Sequence, residues 1–369
     1  MCLEHRYCVH IYEVVMGLSV VLESSIMQKG LPATAGSKML ENFIAPVDAT
    51  VVTRLEAAGV KISGRVDTSE FGAAGLFEDA AGGTATQGDG SLVFFAKTAQ
   101  ENRPLVLLCN DYTGGVSRAA VDAGLYYIQP SYGTVSRYGL IPSVGSMDQI
   151  GIVCENPEDG FEILEIISGY DAKDGVMLPN SSKTYEPQEV SSSFEIDIAD
   201  MKSDYSGVYK QVMQILCSAE LSNNISRYDG IKFGYRAKEY KDLNELYTKS
   251  RTEAFGEDVK LAAVTGAMVL YGDNYERYYN KAMCIRRLIK ESLEFGEYDV
   301  IVSKCPILSR LCGLPSLSVP GGRVYTADAL REDVLKAVSK SVINGNTSLT
   351  DDKELGGKIK AIRNQKSGE

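Results

Sequence analysis

The sequence predicts an α/β protein with a twisted, mostly parallel central sheet and helices on both faces. Three observations predict it. The chain opens as strand, helix, strand: Leu18 to Leu22 is a compact apolar run, Ala49 to Ala58 carries Val51, Val52, Leu55 and Ala58 on one helical face, and Val60 to Val66 follows as a second strand. The strand segments are near-continuous apolar runs, as strands buried on both faces are. From Tyr112 to Gly151 a glycine turn leads to a strand and two loops, which is how such a fold builds a pocket at the end of its sheet. A glycine-rich connection with no ligand satisfies that composition equally well.

The elements follow in order. Asp48 is placed to cap the helix Ala49–Ala58, and Gly59 to stop it in a left-handed conformation. Residues 79–91 (DAAGGTATQGDGS) form a loop, Ser91 to Thr98 an apolar segment and Leu105 to Cys109 a third strand. Thr113-Gly114-Gly115 makes a tight turn whose amide hydrogens can converge on an anion, and Ser117 to Asp122 adds a helical turn or two. Leu125 to Ile128 is a buried strand. Asn156-Pro157 starts a helix with Phe161, Leu164 and Ile167 as its buried stripe, and Gly169 ends it. Residues 172–204 are polar and poorly periodic, a linker or lid. Helices are predicted near 206–219, 241–254, 258–270 and 274–294, and strands at Asp299–Ser303 and Leu317–Val319. The last twenty or so residues are polar.

The totals exclude several functions. The 369 residues are 44% hydrophobic and 24% charged, ordinary for a soluble globular chain. A net charge of −11 opposes a sequence-independent grip on nucleic-acid phosphates. Eight cysteines are scattered without a Cys-x-x-Cys pair, which favours reduced thiols in a cytoplasmic protein over a disulfide set. Both histidines, His5 and His10, lie in the first ten residues, so neither a histidine metal centre nor a Ser-His-Asp triad elsewhere has material. No metal and no other cofactor is implied. No apolar run approaches the roughly 20 residues of a membrane span, and the N-terminus lacks a signal peptide's long apolar region. GGTATQGDGS lacks the GxxxxGK[ST] pattern of a nucleotide-binding loop.

The words SYGTVSRYGLIPSVGSMDQIG, SKMLENFIAPVDATVVTRLEAAGVKISGRVDTSEFG and ISRYDGIKFGYRAKEYKDLNELYTKSRTEAFGEDVK carry a resemblance. They are similar to the amidase signature family, and within it to the A subunits of glutamyl-tRNA(Gln)/aspartyl-tRNA(Asn) amidotransferases. The likeness covers most of residues 17–320. It implies an amidase-signature-like fold in one domain over 17–345, with 1–16 unplaced, a deletion about 180–220 and a polar tail at 346–369. It also implies glutamine amide hydrolysis that supplies ammonia for tRNA-bound Gln or Asn, in a complex with the B and C subunits of such an enzyme.

That chemistry needs a serine nucleophile, a relay serine on a cis peptide and a lysine base, with turn amides stabilising the oxyanion. By the resemblance, the lysine of IAIKDN falls on Glu23, the relay serine of GGSSGGS on Gly88 and the nucleophile of TGGSIR on Val116. Ser117 is adjacent to the nucleophile position and Arg118 keeps its place. The arginine and aspartate expected to hold glutamine fall in the run Lys260-Leu261-Ala262 and near Ser303. Thr113, Gly114, Gly115, Arg118 and Tyr228 remain as candidate binding residues. A triad loses most of its power when one member goes, so the expectation is a degenerate, inactive enzyme retained as a scaffold or binding partner. The alternative is a divergent amidase using Ser117. Lys29, Lys38 and Lys61 read as solvated groups, and YERYY at 275–279 as a packing face or a partner contact. Arg227, Tyr228, Tyr235 and Arg236 are expected at a partner contact or vestigial pocket, or as braces for a loop.

Overall fold

The computed structural model describes residues 17–77, 105–178, 198–200, 208–293, 295 and 299–343. One nine-stranded sheet runs through them in the order β2-β1-β3-β5-β4-β8-β9-β7-β6. The strands are β1 (Ser19–Glu23), β2 (Lys61–Val66), β3 (Leu105–Asn110), β4 (Tyr126–Gln129), β5 (Ile150–Cys154), β6 (Ile198–Asp200), β7 (Val300–Ser303), β8 (Ser316–Val319) and β9 (Arg323–Ala327).

The sheet is flanked by helices, as expected, but it is mixed rather than mostly parallel. β2-β1-β3 and β6-β7 pair in parallel, and the five pairings between those groups are antiparallel. Apolar patterning sets which face of a strand is buried and leaves its direction open. β5, for which no strand was expected, pairs antiparallel with both β3 and β4. β8 and β9 form a hairpin across Gly321 and Gly322, both in the left-handed region at φ 95° and 85°.

Alternation along β1 and β3 divides the core. Val20, Leu22, Val106 and Leu108 face a layer holding α1 (Thr50–Ala57), α3 (Pro157–Ile167) and α9 (Glu332–Ile343). Val21, Leu105, Leu107 and Cys109 face α2 (Gly115–Asp122). A second apolar cluster is built mainly from helices. It draws on α4 (Tyr209–Ile225), α5 (Leu243–Ala254), α6 (Glu257–Leu270), α7 (Lys281–Glu291) and α8 (Ile307–Cys312). Gly266 of α6 packs on α4 so closely that a Cβ there would sit 2.0 Å from Ser218 O.

Local signals hold where their geometry is short-range. Asn156 Oδ1 accepts from Glu158 N at 3.1 Å and Pro157 occupies the first turn of α3. The end of α3 is closed from outside: Arg54 of α1 donates to Ile167 O, Gly169 O and Tyr170 O at 2.6–3.1 Å. The Asp48 cap is corrected. The N-cap residue of α1 is Ala49, with no side-chain cap, because Asp48 lies one residue early and accepts from Lys29 N at 2.7 Å instead. The segment before α7 is π-helical at Tyr275–Asn280, where Tyr275 stacks on Tyr279 at 5.2 Å. Within the expected lid at 172–204, only 172–178 and 198–200 are described, the latter as edge strand β6. The loop 79–91 and the segment Ser91–Thr98 lie outside the described residues. Cys109, Cys154, Cys217 and Cys312 are buried and in no disulfide, and burial pushes Cys154 well up and Cys312 up to about 11.

Candidate functional site

The C-terminal ends of β1 and β3 meet at the turn that enters α2. Gly114 sits at φ 80°, and a Cβ there would lie 2.9 Å from Pro306 Cγ, so both the backbone and the space require glycine. Thr113 Oγ1 donates to Ala74 O at 3.0 Å and accepts from Gly115 N at 3.2 Å. The next two amides are taken by the chain's own carboxylate. Val116 N donates to Asp111 Oδ1 at 3.2 Å and Ser117 N to Asp111 Oδ2 at 2.8 Å. An anion does sit against the opening turn of α2, and it is intramolecular.

That anion has a matched cation. Arg310, on α8, places Nη2 at 2.6 Å from Asp111 Oδ2 with both side chains 1% exposed. Its Nε donates to Asp111 O at 2.6 Å, its Nη1 to Pro306 O at 2.7 Å and its Nη2 also to Ser117 Oγ at 2.9 Å. The guanidinium lies over the Tyr127 ring, 5.2 Å from the centroid. Burial alone lowers the Arg310 pKa, but Asp111 and Tyr127 outweigh it and hold the group above its ordinary value. Burial pushes the Tyr127 phenol well up, so it stays neutral. The result is a desolvated, multiply bonded ion pair under the turn.

Several sequence-predicted positions gather here. Glu23 ends β1 with 1% exposure, and its Oε2 accepts from Asn110 N at 2.5 Å, one residue before Asp111. Val116 packs with Cys109, Ala120 and Leu125 in the apolar cluster under α2. Ser117 is buried, donates to Gly114 O at 3.1 Å and accepts from Arg310. Arg118 Nε donates to Gly114 O at 3.2 Å, and Arg118 and Ser117 border a small pocket of about 70 Å³ with Lys304 and Ser318. Gly88 lies outside the described residues.

Tyr228 is set back from the turn. It is 4% exposed, stacks on Phe71 at 5.5 Å and meets the edge of Phe233 at 5.9 Å. Phe71 O in turn accepts from Tyr112 Oη at 2.9 Å, so Phe71 stands between Tyr228 and the turn. Burial raises the pKa of the Tyr228 phenol. Arg227 and Arg236 serve local structure: Arg227 bonds Asn224 O and Oδ1 at 2.8 Å, and Arg236 bonds the Tyr240 hydroxyl. Tyr235 Oη donates to Glu253 at 2.6 Å beneath the Lys38 ammonium, 4.2 Å from its ring centroid. Lys38 Nζ also donates to Glu253 O, and Lys29 and Lys61 are exposed.

Three residues that sequence reasoning missed hold the site. Asp111 accepts from amides five and six residues on, beyond the two- or three-residue reach of an N-cap side chain, so no capping rule points to it. Arg310 lies 199 residues from Asp111 and nothing local announces it. Asp148 is buried and accepts from Asn110 Nδ2 at 2.8 Å, Ser143 N at 2.9 Å and Val144 N at 3.0 Å. Burial pushes its carboxyl up despite these bonds. It ties the end of β3 to the loop running from Gly139 to Ser146. Among the described residues no group of three His, Cys, Asp or Glu could hold a metal ion, and no helix is long and apolar enough to cross a membrane.

The family model described as Amidase matches residues 7–86, 110–212 and 206–311. In sequence the chain is similar to the A subunit of the glutamyl-tRNA(Gln) amidotransferase of Lachnoclostridium phytofermentans, 31% identical over 83% of this chain and 75% of that protein. In structure it is similar to the peptide amidase of Stenotrophomonas maltophilia, with a TM-score of 0.67 and 19% identity over 90% of this chain and 83% of that one. It is also similar in structure to the glutamyl-tRNA(Gln) amidotransferase A subunit of Thermotoga maritima, with a TM-score of 0.54 and 21% identity over 89% of this chain and 83% of that one.

Proposed function

Because the chain belongs to the amidase signature family, we propose that it is a non-hydrolysing homologue of the amidotransferase A subunits, retained as a scaffold or binding partner. One observation carries this reading: the Val116 and Ser117 amides, at the turn where the family would stabilise an oxyanion, are engaged by Asp111, itself neutralised by Arg310. Glu23 and Val116 stand where the resemblance expects the base and the nucleophile, and neither can do that work. A carboxylate in place of the lysine reverses the charge, and valine has no hydroxyl. The natural partners of such a chain are amidotransferase subunits of the B and C type, in the cytoplasm, with Tyr228, Tyr235 and Arg236 part of the sequence word that matches the family.

A second reading, an amidase built on Ser117, rests on the Arg310 guanidinium 2.9 Å from Ser117 Oγ, a cation that favours an alkoxide. Against it, the hydroxyl already donates to a backbone carbonyl rather than to a base. One experiment separates the two. The purified chain is assayed for ammonia release from glutamine, asparagine and aryl amides and for labelling by a fluorophosphonate, then coexpressed with B and C subunits from its own source. Background hydrolysis with copurification supports the first reading. Stoichiometric labelling lost in Ser117→Ala establishes the second. Neither hydrolysis nor copurification, with wild type and Tyr235→Ala alike, ends the scaffold proposal.

A further inference from the structure

A cleft of about 550 Å³ opens between α7, the end of α8 and the loop after β4, and neither Glu23 nor Val116 lines it. A volume of that order suits a small organic ligand. Arg286, Arg287 and Lys290 line it, and among the described residues no aspartate or glutamate does. The chain as a whole has 49 acidic and 38 basic residues, so a lining of this sign runs against its composition. The remaining wall is largely apolar, from Leu178, Met283 and Leu311.

The three cations are not equivalent. Arg286 is structural: it donates to Leu311 O, to Ser146 Oγ at 3.0 Å and to Ser146 O at 3.0 Å. Glu220 accepts from Ser146 N at 2.8 Å but does not line the cleft. Arg287 pairs with Glu291 at an exposed 2.7 Å contact, which water and salt readily exchange. The exposed Lys290 ammonium makes no ion pair among the described residues. A lysine in the last turn of a helix is favourable by itself through the helix dipole. That effect does not call for an apolar-walled cleft beside it or for two arginines on the same rim.

We propose that this cleft binds an amphipathic anion, its carboxylate or phosphate head against Arg287 and Lys290 and its apolar body along Leu178, Met283 and Leu311. The head group supplies the negative charge the lining lacks, and the body covers apolar wall that water solvates poorly. The site is independent of hydrolysis, so it stands or falls apart from the family reading.

The test is calorimetric titration of the full chain at low ionic strength with octanoate, octyl phosphate, octanol and inorganic phosphate. Saturable binding of one or both amphipathic anions is expected, with octanol and inorganic phosphate at least about tenfold weaker, and the preferred head identifies the natural class. Arg287→Glu/Lys290→Glu should weaken the anions by at least about tenfold. Both residues are exposed, and Lys290→Gln alone gives the same direction of change should the double variant fold poorly. Octanol binding as tightly as octanoate, unchanged affinity in the variants, or no saturable binding of either anion overturns the proposal.

Discussion

Asp111 and Arg310 form one unit: a 2.6 Å ion pair, 1% exposed on each side, whose carboxylate also holds the first free amides of α2. Removing one partner leaves the other charge buried and uncompensated. Arg310→Met should lower stability by about 3–5 kcal/mol, read from the denaturant midpoint. Adding Asp111→Asn to that variant should return part of the loss, since the pair is then neutral on both sides. Additive losses would show that the two side chains do not act together.

Under the proposed reading, a serine at position 116 should not by itself give amidase activity. Val116→Ser places a hydroxyl at the position that the resemblance matches to the nucleophile and leaves Asp111 on the Val116 and Ser117 amides. Ammonia release from glutamine is expected to remain at background. Measurable turnover by this single variant would mean that a base and an oxyanion site survive.

Arg137 and Asp174 give the clearest pH signature. Burial alone would raise the Asp174 carboxyl, but hydrogen bonds from Arg137 outweigh it and hold the pKa below the ordinary 3.8. A depressed folded pKa means the unfolded chain binds the proton more readily. The contribution is therefore complete above 3.8 and is lost as pH falls from there through the lower folded value. Asp174→Asn should cost about 1–3 kcal/mol at neutral pH and flatten the acid limb of the stability curve. Denaturant midpoints from pH 7 to pH 3 check it. A limb of unchanged slope would assign the acid sensitivity to other carboxylates.

Gly266→Ala tests the seam between α4 and α6. The new Cβ would meet Ser218 O at 2.0 Å and Ser222 Cβ at 2.5 Å, and backbone on one side cannot step aside alone. A loss of about 1–3 kcal/mol is expected, despite the gain in helix propensity. Unchanged or raised thermal stability would show that the two helices slide apart freely.

What the sequence discloses here follows the range of each interaction. The Asn156-Pro157 start of α3, the Gly114 turn and the strand–helix–strand opening are written in neighbouring residues, and each is found where it was expected. Strand direction in the middle of the sheet is not so written. Ile150 to Cys154 is apolar whichever way it runs, and only its partners on β3 and β4 make it antiparallel. The candidate site divides the same way. Glu23 and the 113–118 turn were found from local words, whereas Arg310 reaches Ser117 of that turn across 193 residues and Tyr228 turned inward against Phe71. Asp48 shows a local rule losing to a partner 19 residues away, the Lys29 amide.

The pairing of β4 with β8 has a consequence for synthesis. Gln129 Nε2 donates to Leu314 O, 185 residues away, and Tyr127 pairs with Ser318 on the neighbouring strand. While the chain emerges from the ribosome, β4 can take its place beside β5 but must wait for the segment around 316–319 before its other edge is covered. For that interval an unpaired apolar edge faces solvent, the kind of surface that templates aggregation. The long delay before this pairing also slows closure of the sheet. The protein's vulnerable moment is thus its birth rather than its folded life, and truncations ending before β8 should be the insoluble ones.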